Sequence, residues 1–264
     1  MKVTILGCGS SGGVPRIGGA DGRGDWGACD PAEPRNRRRR CSILVENGPT
    51  RVLVDCSPDM REQLIDARVA TLDAVFITHD HADQSHGIDD LRMIAQNTMR
   101  RVPVFAGTEA LGILRQRFSY CFEAAANGAY PAILEAHEIA RPYQDIVIGP
   151  AGAAISVRAF DQDHGTMISQ GFRFGPIAYS SDVVNLDDAA FAALEGVECW
   201  IVDALRYRPH PTHAHVEKAL EWISRVRPKR AILTNLHIDL DYRTLMNSLP
   251  GCVEPAFDGM QIVL

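Results

Sequence analysis

The stretch from Leu72 to Asp90 constrains this chain more than any other. Leu72 to Ile77 (LDAVFI) is a short apolar run rich in β-formers, and it reads as a buried strand. Thr78-His79-Asp80-His81-Ala82-Asp83-Gln84-Ser85-His86-Gly87 follows. Beyond it, Ile88, Leu91, Ile94 and Ala95 fall on one helical face. Imidazoles and carboxylates therefore crowd a loop between a strand end and a helix start. The two-residue step from His79 to His81 lets both rings converge from an extended turn. His and carboxylate together are the usual ligands of a hydrolytic metal.

The rest of the chain must supply a body for that loop. With 264 residues it can bury a sizeable core. Its 46% hydrophobic and 23% charged content exclude a disordered chain. A net charge of -6 argues against a surface built to coat nucleic acid, although a local basic patch is compatible with it. Met1 to Gly7 lacks the long apolar core of a secretory leader, and no apolar run reaches the length of a membrane span. The seven cysteines are scattered and form no C-x-x-C, which predicts reduced, mostly buried thiols and a cytoplasmic protein.

In chain order, Lys2 to Leu6 alternates as a first strand. The loop Gly7-Cys8-Gly9-Ser10-Ser11-Gly12-Gly13 lacks the Lys and the helix of a nucleotide loop, so it reads as a glycine turn near a site. Residues 16–40 have no apolar period and form a long irregular loop. They end in the basic run Arg35 to Arg40, which is either a solvated face or a source of guanidiniums for a substrate phosphate. Cys41 to Glu46 and Arg51 to Asp55 make a hairpin across Asn47-Gly48-Pro49. Ser57 is placed to cap a helix through Leu64 and Ile65, with Pro58 in its first turn. Asp55, near a strand end, is placed to buttress the histidine loop.

Val102 to Ala106 reads as a strand and Glu109 to Arg117 as a helix. Residues 118–144 are aromatic and weakly periodic, and read as an insertion that covers a site or forms a homodimer contact. His137 has no partner motif and reads as structural. Later strands end in candidate ligands: Ala154 to Phe160 before His164-Gly165, Ile177 to Tyr179 before Ser180-Ser181-Asp182, and Trp200 to Ala204 with Asp203. Arg230 to Leu233 precedes Thr234-Asn235-Leu236-His237. His210, His213 and His215 lead into a helix with Val216, Leu220 and Ile223 on its apolar face. A closing strand lies in Pro255 to Leu264. Strands crowding both halves, with helices between them, predict a single domain over 1–264. Its architecture is an αββα sandwich, two mixed sheets face to face with helices outside.

Taken together, GCGSSGGVP, THDHAD, the Ser-Ser-Asp strand end, the Thr-His before a helix and FDGMQIVL resemble the metallo-β-lactamase-fold hydrolases. Within them the chain is most similar to the branch of tRNase Z and the PhnP-like phosphodiesterases. The resemblance implies one metal, Zn²⁺, on His79, His81, His164 and a bridging Asp182. A second metal in such proteins takes Asp83, the histidine after it, the bridging aspartate and a late Thr-His. Here Gln84 and Asn235 stand where those two imidazoles would be. An amide oxygen is the weaker and harder donor. The expectations are therefore a single metal, or a second Mn²⁺ or Mg²⁺ through Asp83, Asp182, Gln84 and Asn235, or a swing of His86 or His237 into the gap.

By the same resemblance Asp83 acts as general base and His213 protonates the leaving group, with His215 competing for that role. Asp203 and the arginine run orient them, with Arg39, Arg40 and His215 on the substrate phosphate. Cys29 and Cys41 are too few for a structural zinc. No Gly/Lys-rich insertion for tRNA is present. The expected substrate is a small cyclic or nucleotide phosphodiester and not a large nucleic acid. Thioester or lactone hydrolysis, or non-catalytic nucleotide binding, are the alternatives.

Overall fold

The computed structural model describes residues 1–126, 130–141 and 143–264. The strands begin with β1 (Lys2–Gly7), β2 (Ser42–Asn47), β3 (Thr50–Val54), β4 (Ala74–Ile77), β5 (Val102–Gly107), β6 (Leu134–Ile139) and β7 (Ile146–Ile148). They continue with β8 (Ile155–Asp163), β9 (Ile168–Phe174), β10 (Ile177–Ser180), β11 (Cys199–Asp203), β12 (Arg230–Thr234), β13 (Val253–Pro255) and β14 (Gln261–Val263). The helices are α1 (Met60–Asp66), α2 (Ala82–Ser85), α3 (Leu91–Thr98), α4 (Thr108–Arg117), α5 (Ser119–Phe122), α6 (Asp188–Ala193), α7 (Val216–Val226) and α8 (Tyr242–Ser248). Among the described residues the strands form two seven-stranded sheets, ordered β14-β1-β2-β3-β4-β5-β6 and β13-β12-β11-β10-β9-β8-β7. No helix is long and apolar enough to cross a membrane.

The expected single domain comprises two compact units: Met1–Thr4, Ser42–Ser156 and Gln261–Leu264 in one, Ile5–Cys41 and Val157–Met260 in the other. In the first unit β2 and β3 are an antiparallel hairpin, with Gly48 in the left-handed region at φ 57°. From β3 to β6 the strands run parallel. Val52, Leu53, Val54, Val75, Phe76 and Ile77 are all buried, as the continuous apolar runs of a parallel sheet must be. In the second unit β8, β9 and β10 are antiparallel, and β10 to β13 run parallel. Helix α7 buries Val216, Ala219, Trp222 and Ile223 at helical spacing, within a core that includes Phe160, Trp200 and Leu233.

Several expectations are corrected here. Residues 118–144 are not wholly an insertion: Leu134 to Ile139 is β6, paired with β5 over six residues, and belongs to the sheet. Within that range 127–129 and 142 lie outside the described residues. His137 stacks on Phe105 with centroids 4.6 Å apart, in the structural role expected of it. Strand β8 runs on past Phe160 to Asp163 and turns back as β9, a strand absent from the sequence reading. Gly171 makes this hairpin possible, because a Cβ there would stand 2.3 Å from the Phe160 ring. Helix α1 begins at Met60 and leaves Pro58 outside it. Ser57 Oγ accepts the Asp59 amide at 3.1 Å and forms the turn before the helix. Six cysteines are buried, Cys252 is exposed, and all seven are free thiols.

Candidate active site

The first unit presents His79 and His81 at the end of β4. Asp55, itself at φ 63° beyond β3, is buried behind them and accepts the Thr78 amide at 2.8 Å and the Thr78 hydroxyl at 3.0 Å. Since the hydroxyl proton goes to the carboxylate, the Thr78 oxygen accepts from His79 Nδ1, 3.0 Å away. The proton then sits on Nδ1 and the His79 Nε2 lone pair is available to a metal. Asp55 thus buttresses the loop as expected. The His79 and His81 rings lie 4.5 Å apart at 73°.

His81 is also the N-cap of α2, so Asp83 and Gln84 belong to a short helix and not to a loop. The half-buried Asp83 takes a long bond of 3.5 Å from the Gln84 amide. The Gln84 carbonyl accepts the Cys56 amide at 2.9 Å, and Gly87 donates to the Cys56 carbonyl at 2.8 Å. Gly87 is obligatory, because a Cβ would fall 2.0 Å from the Ser57 oxygen. Arg117 holds Asp80 by its carboxylate (2.8 Å) and its carbonyl (2.7 Å), which assigns Asp80 to scaffolding. His86 lies edge-on to Phe118.

The second unit gathers the later strand ends. His164 Nδ1 is 2.7 Å from the Thr212 carbonyl, so it donates there and its lone pair lies on Nε2; that atom is 4.0 Å from Asp182 Oδ1. Asp182 follows β10 at φ 54°, a left-handed conformation that turns its carboxylate out of the strand. Burial raises its carboxyl above the ordinary range, His213 and His164 oppose that rise, and Asp203 adds to it. His213 Nδ1 lies 2.9 Å from Asp203 Oδ2 and 3.8 Å from Asp182 Oδ1. The ligand atoms of His164, Asp182 and His213 lie within 4.8 Å of one another.

Asp203 is fully buried and also accepts the Val183 amide at 3.1 Å. Asn235, at φ 61° after β12, sets its side-chain amide 3.1 Å from His213 Nδ1. That nitrogen cannot donate to Asp203 and accept from Asn235 at once. The contact is satisfied when the amide oxygen faces the ring. One of the two amides thus sits against the candidate proton donor.

The other predicted residues have definite places. Arg38, in the run read as solvated or phosphate-binding, is neither: it is 2% exposed and donates to the Leu240 carbonyl (2.7 Å) and Asn36 (3.2 Å). Arg39 is half-buried and bonds Asp258 through its backbone N–H (2.8 Å) and Nε (3.4 Å). Arg40 is half-buried beside the glycine loop, whose Gly13 donates to Ser10 in a tight turn at 2.7 Å. His215 is the N-cap of α7 and makes no side-chain cap bond. His237 Nδ1 accepts the Asp239 amide at 3.2 Å. His210, 5.0 Å from the His213 ring, is a neighbour the sequence reading left unassigned. Its signal was the crowding of three imidazoles into six residues, 210–215.

By the chemistry of their donors, His164, Asp182 and His213 of the second unit could hold a metal ion, and His79 and His81 of the first unit are donors of the same type. Bonds behind His79 and His164 fix the tautomers that ligation requires.

A family model described as a β-lactamase superfamily domain matches residues 50–238. The crystal structure of a diphosphatase from the PhnP family is similar with a TM-score of 0.86 and 30% identity, over 99% of this chain and 96% of that one. Human tRNase Z, short form, is similar in fold, with a TM-score of 0.66 and 17% identity over 100% and 99% of the two chains. An octanoyltransferase of Porphyromonas gingivalis is 29% identical over 270 residues, which are 100% of this chain and 52% of that protein. The chain spans about half the length of this curated relative.

Proposed function

The chain belongs to the β-lactamase superfamily, in its PhnP-like branch, and has the αββα hydrolase fold; from that premise we propose that it hydrolyses a small cyclic or nucleotide phosphodiester. The observation that carries this reading is the His213–Asp203 pair set beside His164 and Asp182. It adds a proton donor to ligand-type residues, and cleavage of a diester with a poor leaving group needs that combination.

A metal ion, on our reading Zn²⁺, held by His79, His81, His164 and Asp182 would supply a Lewis acid for a phosphoryl oxygen and make water acidic near neutral pH. Asp83 takes the proton of the attacking water as its oxygen bonds to phosphorus. Protonated His213 gives its Nε2 proton to the departing alkoxide as the phosphorus–oxygen bond breaks. Asp203 stabilises the charged ring and holds its Nδ1–H. With the Asn235 amide against His213, a single metal is favoured over a second Mn²⁺ or Mg²⁺ through Asp83, Asp182, Gln84 and Asn235.

The test uses protein without a polyhistidine tag, reconstituted with Zn²⁺ or Mn²⁺. Metal content is measured beside turnover of bis(4-nitrophenyl) phosphate. About one metal per chain with turnover is expected. No tightly held metal and no turnover would sink the hydrolytic reading.

A further inference from the structure

A buried polar network that the reaction above does not use holds the turn carrying Asp182. In strand β8, Gln162 stands directly opposite Ser169 of β9. Gln162 is 1% exposed and Ser169 is fully buried. The Gln162 amide donates one N–H to the Ser169 hydroxyl at 3.2 Å and the other to the Ser181 carbonyl at 3.1 Å. The Ser169 hydroxyl in turn donates to the Asp182 carbonyl at 2.7 Å. A flipped amide would set its oxygen against the Ser181 carbonyl, so the network itself assigns the nitrogen.

These bonds fall on the two peptides that flank the Asp182 Cα. The Ser181 carbonyl belongs to the peptide before it and the Asp182 carbonyl to the peptide after it. The second peptide is held at its other end as well, because the Val183 amide donates to Asp203 at 3.1 Å. Peptide planes are rigid, so fixing both of them fixes φ and ψ of Asp182. The conformation so fixed is the left-handed one, at φ 54°. A residue with a Cβ adopts it only where surrounding structure offsets the strain.

The network carries a cost of its own. Gln162 Oε1 is buried and has no hydrogen-bond partner among the described residues. Gly171 leaves room for it, since a Cβ there would stand 2.6 Å from that oxygen. An apolar side chain at position 162 would avoid the unpaired oxygen, but it could not donate to Ser169 and Ser181. A buried amide kept at that cost, one hydroxyl away from a strained candidate ligand, points to a role beyond packing.

We propose that Gln162, acting through Ser169 and the Ser181 carbonyl, is a positioning residue that sets the direction of the Asp182 carboxylate. Asp182 Oδ1 stands 4.0 Å from His164 Nε2 and 3.8 Å from His213 Nδ1. Rotation about φ or ψ of Asp182 would swing the carboxylate away from both rings. The inference rests on the reading of Asp182 as a metal ligand.

The experiment is titration of the metal-free full chain with Co²⁺, whose visible absorption reports ligand geometry. It compares wild type, Gln162→Met, Ser169→Ala and Ser169→Thr. Gln162→Met and Ser169→Ala should bind Co²⁺ roughly tenfold more weakly than wild type, with an altered visible band. Ser169→Thr keeps the hydroxyl and should keep the wild-type affinity and band. A side chain that only stabilised the fold would leave the band of the metal-bound form unchanged. Wild-type affinity and band in Ser169→Ala and Gln162→Met overturn the proposal, and so does an equal loss in Ser169→Thr and Ser169→Ala. Ser169→Ala removes a single oxygen and carries the test if Gln162→Met does not fold. Hydrogen exchange of the metal-free chain, read by mass spectrometry, is the separate arm. If wild type takes up no Co²⁺, the metal reading falls and exchange alone decides. Faster exchange over residues 180–185 in Ser169→Ala, with α7 unchanged, then supports the positioning role. Unchanged exchange there, or faster exchange throughout the chain, overturns it.

Discussion

His213 Nδ1 and Asp203 Oδ2 are 2.9 Å apart, and the aspartate is fully buried behind the ring. A buried carboxylate there fixes the imidazole tautomer and stabilises its charged form. Asp203→Asn keeps the shape but can present an N–H to Nδ1 and reverse the tautomer. We expect kcat to fall roughly ten- to a hundredfold with metal content unchanged, read by steady-state kinetics beside metal analysis. An unchanged kcat would remove His213 from proton transfer.

His213→Ala separates acid catalysis from the rest of the reaction by leaving group. For a diester that expels an alkoxide, kcat should fall roughly a hundred- to ten-thousandfold. For bis(4-nitrophenyl) phosphate the loss should be small, because nitrophenolate departs without a proton. Equal losses on both substrates would assign the ring to ligation or binding.

Asp55 is the hub behind His79, through the Thr78 amide and hydroxyl. Asp55→Ala leaves that buried amide without its acceptor and releases the His79 tautomer. Unfolding free energy should drop by about 2–4 kcal/mol, measured with denaturant on the metal-free protein. Metal affinity should fall as well, read by competition with a chelator.

Asp258 predicts a pH dependence of stability. Burial pushes its carboxyl up to about 6, against the bonds from Arg39 and Cys8 that favour the charged form. A carboxyl raised in the folded state binds its proton more tightly there than in the unfolded chain. Its contribution to stability is thus present below the ordinary carboxylate range and lost as pH rises through about 6. The difference in melting temperature between wild type and Asp258→Asn should therefore change across that interval and be level on either side of it.

Gln84→His with Asn235→His restores imidazoles at the two positions that carry amides. The double variant should take up about one more metal ion per chain than wild type, read by elemental analysis after dialysis. Wild type already holding the same number would show that the amides serve as ligands.

Candidate site residues that stand out by local chemistry were legible in the chain. His79 and His81 stand two apart after an apolar run, and Asp182 and Asn235 each follow a short β-rich segment. A metal site asks for ligands at strand ends, and strand ends carry a local period. Strands β6 and β9 were missed because Leu134 to Ile139 and Ile168 to Phe174 interleave charged or polar residues and owe their pairing to neighbours. Arg38 was misread for a related reason. In sequence it is one of a run of arginines, and only the folded chain brings the Leu240 and His237 carbonyls to its guanidinium.

The sequence by itself determined the class of fold and the candidate ligand types, since apolar periodicity and donor chemistry are properties of neighbouring residues. Only the tertiary structure decided which groups hold those candidate ligands. Asp55 reaches Thr78 across 23 positions and Thr212 reaches His164 across 48. Asn235 meets His213 across 22, which turns an apparently lost ligand into a partner of the proposed proton donor. Hydrogen bonds act over about 3 Å, a range that sequence separation does not measure and sheet closure sets.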